Sequence, residues 1–240
     1  MSALLQVDGV AKRFGGLRAV DRISFDVATG ELVSIIGPNG AGKTTLFNLL
    51  TGQLVPSAGE IRFDGHDIAH LPPHRRARLG FGRTFQISQT LTSLSVLENA
   101  MIGAFLHHPA LTRASAKAMT ALDLVGLAPR ARDRAGALTL GERRRLEVAR
   151  ALALEPRIVL LDEVMAGLNQ TEVQELIDLV LRLNAGGLTF LVIEHNLKVV
   201  RAFSHRVIVL NRGAMLAEGT AASVLDDPAV IEAYVGRRRE

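Results

Sequence analysis

The octapeptide Gly37-Pro38-Asn39-Gly40-Ala41-Gly42-Lys43-Thr44, continued by Thr45, follows directly on the apolar run Leu32–Ile36. Its spacing satisfies G-x-x-x-x-G-K-[ST], and no other segment restricts the possible folds as much, because the pattern demands a strand before it and a helix after it. Glycines let the backbone wrap closely around phosphates. The N–H groups of the turn and of the helix opening near Lys43 point at the anion, and the helix dipole favours negative charge there. Lys43 is placed to neutralise β/γ-phosphate charge and the Thr44 hydroxyl to ligand Mg²⁺. The expected ligand is a nucleoside triphosphate with its metal.

Further short apolar runs at 158–161, 188–193 and 207–210 are bounded by turn residues and separated by helical patterns. Such runs suit strands buried on both faces of a parallel sheet. Val173, Leu176, Ile177, Val180 and Leu181 form an apolar stripe at helical spacing, opened by Thr171 with Gln174 three residues on as a capping box. The alternation predicts an α/β fold. Residues 4–10, 23–27 and 59–63 read instead as strands pairing outside the main sheet. From residue 95 to about 150 the chain turns Ala- and Leu-rich, broken at Pro109, Pro129 and Gly141, which reads as an inserted helical lobe. One composite domain over residues 1–240 is expected, with the helical lobe at about 88–150.

A chain of 240 residues with 48% hydrophobic content can bury a large core. The absence of cysteine excludes a disulfide framework and Cys-based metal sites. No uncharged apolar stretch approaches the roughly 18 residues needed to cross a bilayer, and the first residues lack a secretory pattern. Any service to a membrane is therefore expected to run through partners. Arg75, Arg76 and Arg78, Arg143 to Arg145, and Arg237 to Arg239 are basic clusters, but no aromatic residues interleave with them. They read as solvated faces and a frayed tail, and nucleic acid is not an expected partner. The His/Asp group Asp64, His66, Asp67, His70 and His74 reads as a solvated strand-to-turn exit rather than a metal site.

The run 158–161 ends in Asp162-Glu163, and strand ends of open α/β sheets are where ligands bind. Asp162 is placed to act on Mg²⁺, and Glu163 to polarise a water for attack on the γ-phosphate. His195, after the run 188–193 and Glu194, should emerge at the same kind of edge. Gln86, in Arg83-Thr84-Phe85-Gln86 after another short strand, carries a neutral amide that can ligand Mg²⁺ and orient water.

With these residues in hand, Leu138-Thr139-Leu140-Gly141-Glu142, followed by Arg143-Arg144-Arg145-Leu146, resembles the LSGGQ signature of ATP-binding-cassette (ABC) transporter ATPases. The resemblance spans nearly the whole chain. It implies a P-loop fold with a RecA-like parallel-sheet core, an N-terminal antiparallel β lobe and an inserted helical lobe. It also implies ATP hydrolysis in a head-to-tail dimer, where Thr139, Gly141 and Glu142 meet the γ-phosphate of ATP held by the opposite subunit. Phe14 matches the aromatic that stacks on adenine, Gln86 the Q-loop, Asp162 and Glu163 the Walker B pair, His195 the switch histidine, and Ala166-Gly167-Leu168-Asn169 the D-loop. Departures from the commonest pattern are Thr139 for Ser, Leu140 for Gly, Glu142 for Gln, Val164 for Pro and Asn169 for Asp.

Within that family, Arg13-Phe14-Gly15-Gly16-Leu17, Gly82-Arg83-Thr84-Phe85-Gln86, the run 144–150 and Glu232-Ala233-Tyr234-Val235-Gly236 resemble the LivG type of ATPase subunit from branched-chain amino acid importers. The resemblance implies a second ATPase subunit, self or paralogue, two transmembrane permease subunits, an extracytoplasmic solute-binding protein, and a place on the cytoplasmic membrane face. Related systems carry amides, urea or aromatic acids. A soluble cassette ATPase acting on DNA or ribosomes is the alternative; its usual long coiled coil or second cassette is absent from this sequence.

Overall fold

The computed structural model describes residues 3–84 and 90–235. In chain order these form β1 (Ala3–Phe14), β2 (Leu17–Ala28), β3 (Leu32–Ile36), α1 (Lys43–Leu50), β4 (Ala58–Phe63), β5 (His66–Asp67) and α2 (Pro73–Leu79). There follow β6 (Phe81–Arg83), α3 (Val96–Ala104), α4 (Leu111–Leu124), two 3₁₀ turns at Ala128–Arg130 and Ala135–Ala137, α5 (Leu140–Leu152), β7 (Ile158–Asp162) and α6 (Gln170–Ala185). The chain closes with β8 (Thr189–Ile193), α7 (Leu197–Phe203), β9 (Arg206–Asn211), β10 (Ala214–Gly219), α8 (Ala221–Leu225) and α9 (Pro228–Val235). Two compact units result, one of Met1–Arg76 with Thr189–Glu240, the other of Ala77–Leu188.

The first unit holds an antiparallel sheet in the order β2-β1-β4-β5. Its strands alternate as a half-buried sheet should: Ile23, Phe25 and Val27 of β2 point inward while Ser24 and Asp26 face water. In the same unit β3 lies between β8 and β9 and runs parallel to both, with β10 returning antiparallel along β9. All five residues of β3 are buried, as are all five of β8. The continuous apolar runs thus answer to burial on two faces. Ser34, the polar exception in β3, is satisfied by the Ser204 hydroxyl at 2.6 Å. Ile35 pairs with Ile193 and Ile36 with Val209, so the three strands end together, and the residues after them share one edge.

The helix that follows β3 is short, and a buried cation fixes its far end. Arg76 is 1% exposed. Its Nη1 donates to the carbonyls of Leu49 at 2.6 Å and Leu50 at 2.8 Å, the last two of α1. Nε donates to Leu71 O and Nη2 to Ala69 O, each at 2.9 Å. The terminal carbonyls of a helix lack intrahelical partners and carry its partial negative charge, so a guanidinium there satisfies both deficits. Burial lowers the Arg76 pKa to about 10, which leaves it protonated at neutral pH.

In the second unit β6 and β7 form a parallel pair, with Arg83 beside Leu160. Helices α3, α4 and α5 pack on one another through small residues, Ala100, Ala104, Ala114 and Ala118 being fully buried. A side chain on Gly103 would come within 2.4 Å of the Arg150 carbonyl, so α3 and α5 touch backbone to backbone. This unit contains the expected helical stretch and reaches beyond it on both sides, because β6, β7 and α6 belong to the same compact body. Two local expectations need correction. The capping box that opens α6 is Asn169 with Glu172, two residues earlier than Thr171 with Gln174, since the helix starts at Gln170. Gly141 does not break a helix but lies inside the first turn of α5.

Replacing Arg76 by Met removes four backbone hydrogen bonds and strands buried carbonyls. The expected loss is about 3 kcal/mol of unfolding free energy, read as a lowered urea midpoint at unchanged m-value.

Candidate functional site

The segment 37–45 occupies the turn between β3 and α1, at the edge where β8 and β9 also end. Gly37 has φ of +149° and Gly42 φ of +101°, values that side chains resist. Space forbids side chains as well. A Cβ at Gly37 would lie 2.1 Å from the Leu210 carbonyl oxygen, and one at Gly42 would lie 2.4 Å from that of Ala19. Gly42 is also the N-cap of α1 and, having no side chain, makes no side-chain cap to its first turn. Lys43 is 7% exposed and folds back into the loop, its Nζ donating to Gly37 O at 2.7 Å and Pro38 O at 3.2 Å. Thr44 is exposed and Thr45 half-buried on the first turn of α1. Pro38, Asn39, Gly40 and Ala41 wall one side of a groove of about 700 Å³, with Arg212 and Glu232 on the other.

His195 lies one residue before Asn196, the N-cap of α7, and its side chain is exposed just past the end of β8. Phe14 closes β1 with its ring 47% exposed, and the Lys12 ammonium stands 5.3 Å from the ring centre. An exposed aromatic face beside a cation can accept a flat, electron-rich base. The first unit therefore carries the loop, the histidine and the aromatic.

A contact that sequence reasoning missed ties the C-terminal helix to this loop. Tyr234 of α9 packs against the cluster containing Ile36, the residue before Gly37. Its hydroxyl is buried without a hydrogen bond of good geometry. Burial pushes the phenol pKa up, and the nearby Gly37 backbone works against that push.

In the second unit Asp162 ends β7 and is 1% exposed. Its Oδ2 accepts from Arg83 Nη2 at 3.0 Å and its N–H donates to Thr84 Oγ1 at 3.2 Å. Arg83, part of the 82–86 motif in the sequence, is in the structure the counter-ion of the carboxylate expected to meet Mg²⁺. Glu163 follows with φ of +49°, a left-handed conformation costly for a residue with a Cβ and of the kind that gathers at functional sites. Val164 stands where the common family pattern has proline, and it is fully buried. Gln86, expected on both metal and water, lies outside the described residues.

The segment 138–142 starts α5. Thr139 is the N-cap: its Oγ1 accepts from Glu142 N at 3.2 Å, and its N–H donates to Glu142 Oε2 at 2.9 Å. A hydroxyl that accepts there still has its proton to donate. Gly141 is packed so closely that a Cβ would lie 2.7 Å from Glu172 Oε1, and Leu140 Cδ2 would lie 3.3 Å from a Cβ at Gly167. Residues 140–141 are therefore seated on the turn 166–169 and its helix α6. Glu172 and Arg130, which hold the two ends of this arrangement, gave no motif signal. Only the i+3 position of Glu172 after Asn169 hints at its capping role.

As to chemistry, the Thr44 hydroxyl and the Asp162 carboxylate are hard oxygen donors of the kind Mg²⁺ takes. Among the described residues no grouping of three or more His, Asp or Glu forms a self-contained metal cage. No helix among them is long and apolar enough to cross a membrane.

The model of the ABC transporter family matches residues 20–166, and that of the branched-chain amino acid ATP-binding cassette transporter matches residues 214–240. The chain is 42% identical to the high-affinity branched-chain amino acid transport ATP-binding protein BraF of Pseudomonas aeruginosa, over 97% of this chain and 98% of that protein. It is 41% identical to LivG of Escherichia coli K12 over the same shares. A crystal structure of a nucleotide-free ATP-binding cassette from an ABC transporter superposes with a TM-score of 0.90 at 33% identity, covering 98% of this chain and all of that one. A dimeric bacterial ABC transporter cassette gives 0.81 at 27% identity, covering 90% of this chain and 98% of that one. These matches run along almost the whole length of the chain and of its relatives, and the chain belongs to the ATP-binding family of ABC transporters.

Proposed function

We propose that this chain is the ATP-hydrolysing subunit of an importer for branched-chain or related amino acids, peripheral on the cytoplasmic face of the membrane. The observation that carries the solute class is the match of residues 214–240 to the branched-chain cassette model, because it lies outside the segment 20–166 common to ABC transporters at large. That the relatives are named for branched-chain amino acid transport supports it.

ATP stacks its base on Phe14 and lays its phosphates over residues 37–45. Lys43 leaves the Gly37 and Pro38 carbonyls for the phosphate oxygens, an exchange favoured because the new acceptors are charged. Thr44, Asp162 and Gln86 are the proposed holders of Mg²⁺, which supplies neutralisation of developing phosphate charge when bound. Glu163 polarises the attacking water, and His195 meets the γ-phosphate end. Thr139 and Gly141 act in trans on ATP bound by the facing subunit, with the first N–H groups of α5 as donors and Glu142 closing the cap behind them. Catalysis is then positioning and electrostatics with no covalent intermediate. Residues 1–240 work as one cassette whose stretch 88–150 is the helical lobe. Two membrane subunits and an extracytoplasmic binding protein complete the transporter.

Glu163→Gln is expected to bind ATP as the parent chain does while its kcat falls by about a thousandfold. Fluorescent-nucleotide binding together with phosphate release checks both halves, and unchanged turnover would remove the role given to Glu163. The solute class is tested by uptake of radiolabelled leucine in cells carrying the parent chain or the Glu163→Gln variant. Leucine uptake lost in the variant supports the assignment, whereas uptake of urea, an amide or an aromatic acid lost in its place would transfer the chain to that class.

A further inference from the structure

Glu142 occupies the place where the common signature has a neutral glutamine, at the head of the helix proposed to meet a triphosphate. A full negative charge beside an anion opposes binding. The structure shows how that charge is met. Glu142 Oε1 accepts from Arg130 Nη1 at 2.6 Å, while Oε2 accepts from the Thr139 N–H at 2.9 Å, so both oxygens are turned toward the body of the second unit. Arg130 is set in advance: Asp133 takes its Nε, and the Asp133 N–H donates to the Arg130 carbonyl at 2.9 Å. The hydrogen bond to Asp133 and the nearby charge of Glu142 hold the guanidinium pKa above its ordinary value.

We propose that Arg130 is a positioning residue of the nucleotide site. It compensates the Glu142 carboxylate and holds it in the cap, so that the N–H groups of Leu140 and Gly141 and the Thr139 hydroxyl meet phosphate without an unneutralised anion beside them. The proposal rests on the reading of residues 138–142 as a phosphate-contacting segment. It accounts for how this chain can carry Glu at that position. The capping box needs a carboxylate or amide at Glu142, and the carboxylate's charge needs a fixed cation. Arg130 comes from a 3₁₀ turn twelve residues upstream, so the cap and its neutralising cation reach each other through the fold of one lobe.

The test is a double-substitution cycle on the full chain, reading KM and kcat for ATP hydrolysis together with thermal unfolding. Arg130→Met should raise the KM for ATP about tenfold, because it exposes the bound nucleotide to the Glu142 charge through a medium of intermediate dielectric. Adding Glu142→Gln should bring the KM back to within about twofold of the parent, since the amide keeps the cap and carries no charge. A role as a structural brace predicts the opposite, for the double variant has lost the ion pair altogether. An unchanged KM in Arg130→Met, or a double variant no better than the single, would overturn the proposal. Leu140→Glu separates it from its parent reading. Leu140 is 42% exposed at the same helix head, so a carboxylate there is tolerated by the fold but should cut hydrolysis at least tenfold if phosphate approaches. Parent-level hydrolysis by Leu140→Glu would sink the reading of residues 138–142, while loss in Leu140→Glu with a failed cycle would sink only the role of Arg130.

Discussion

Six residues, Gly37 to Gly42, link Ile36 to the first turn of α1, and the rest of the first unit is arranged to let that turn pass close against other backbone. The turn can be made only if its backbone passes within contact distance of two other main chains, the Leu210 carbonyl of β9 and the Ala19 carbonyl of β2. Any side chain at Gly37 or Gly42 would push it away. The parallel register that ends β3, β8 and β9 together is what delivers Leu210 to that place, and the same register carries His195 to the same edge. A strand order chosen for burying two apolar faces has thereby also fixed the geometry of an anion cradle.

Lys43, Asp162 and Glu142 each have an internal partner in place. Lys43 rests on two carbonyls of its own loop, Asp162 on Arg83, Glu142 on Arg130 and on its own cap. Each of these groups is oriented before a ligand arrives, so little reorganisation remains at the moment of binding. The ligand must instead compete with a neighbour. An ammonium held by neutral carbonyls yields readily to phosphate oxygens, whereas a carboxylate held by a guanidinium yields only to a cation of higher charge density. The preformed pairs therefore act as a selectivity filter on what can displace them.

Much of the fold was legible because its signals are local. Continuous apolar runs gave β3, β7, β8 and β9 nearly to the residue, and the glycine-lysine spacing gave the turn into α1. The capping box that Thr139 and Glu142 form at the start of α5 was not read from the sequence, where Gly141 counted as a break and residues 138–142 stood out only by resemblance to the signature. The opening of α6 was misplaced by two residues. Thr171 and Gln174 satisfy the same i, i+3 pattern as Asn169 and Glu172, and pattern alone does not tell which pair is preceded by extended backbone. Arg76, Arg83, Arg130 and Tyr234 were illegible as site-supporting residues, since each works across a gap in sequence that only the fold closes. Basic residues such as Arg76 and Arg143 to Arg145 read as solvated clusters from composition, yet Arg76 and Arg144 are buried and hydrogen-bonded.

Arg76 has a mechanical consequence. It grips the last two carbonyls of α1, whose opposite end carries Lys43 and Thr44, and the gripping fork is itself bonded to Ala69 and Leu71. A helix of eight residues held this way is a strut pinned at its base. Pull applied at its head by a multiply charged ligand cannot be taken up by tilting or sliding the rod. Displacement at its head is met instead by the turn 37–42, which β3 leads into and which passes against Leu210 of β9.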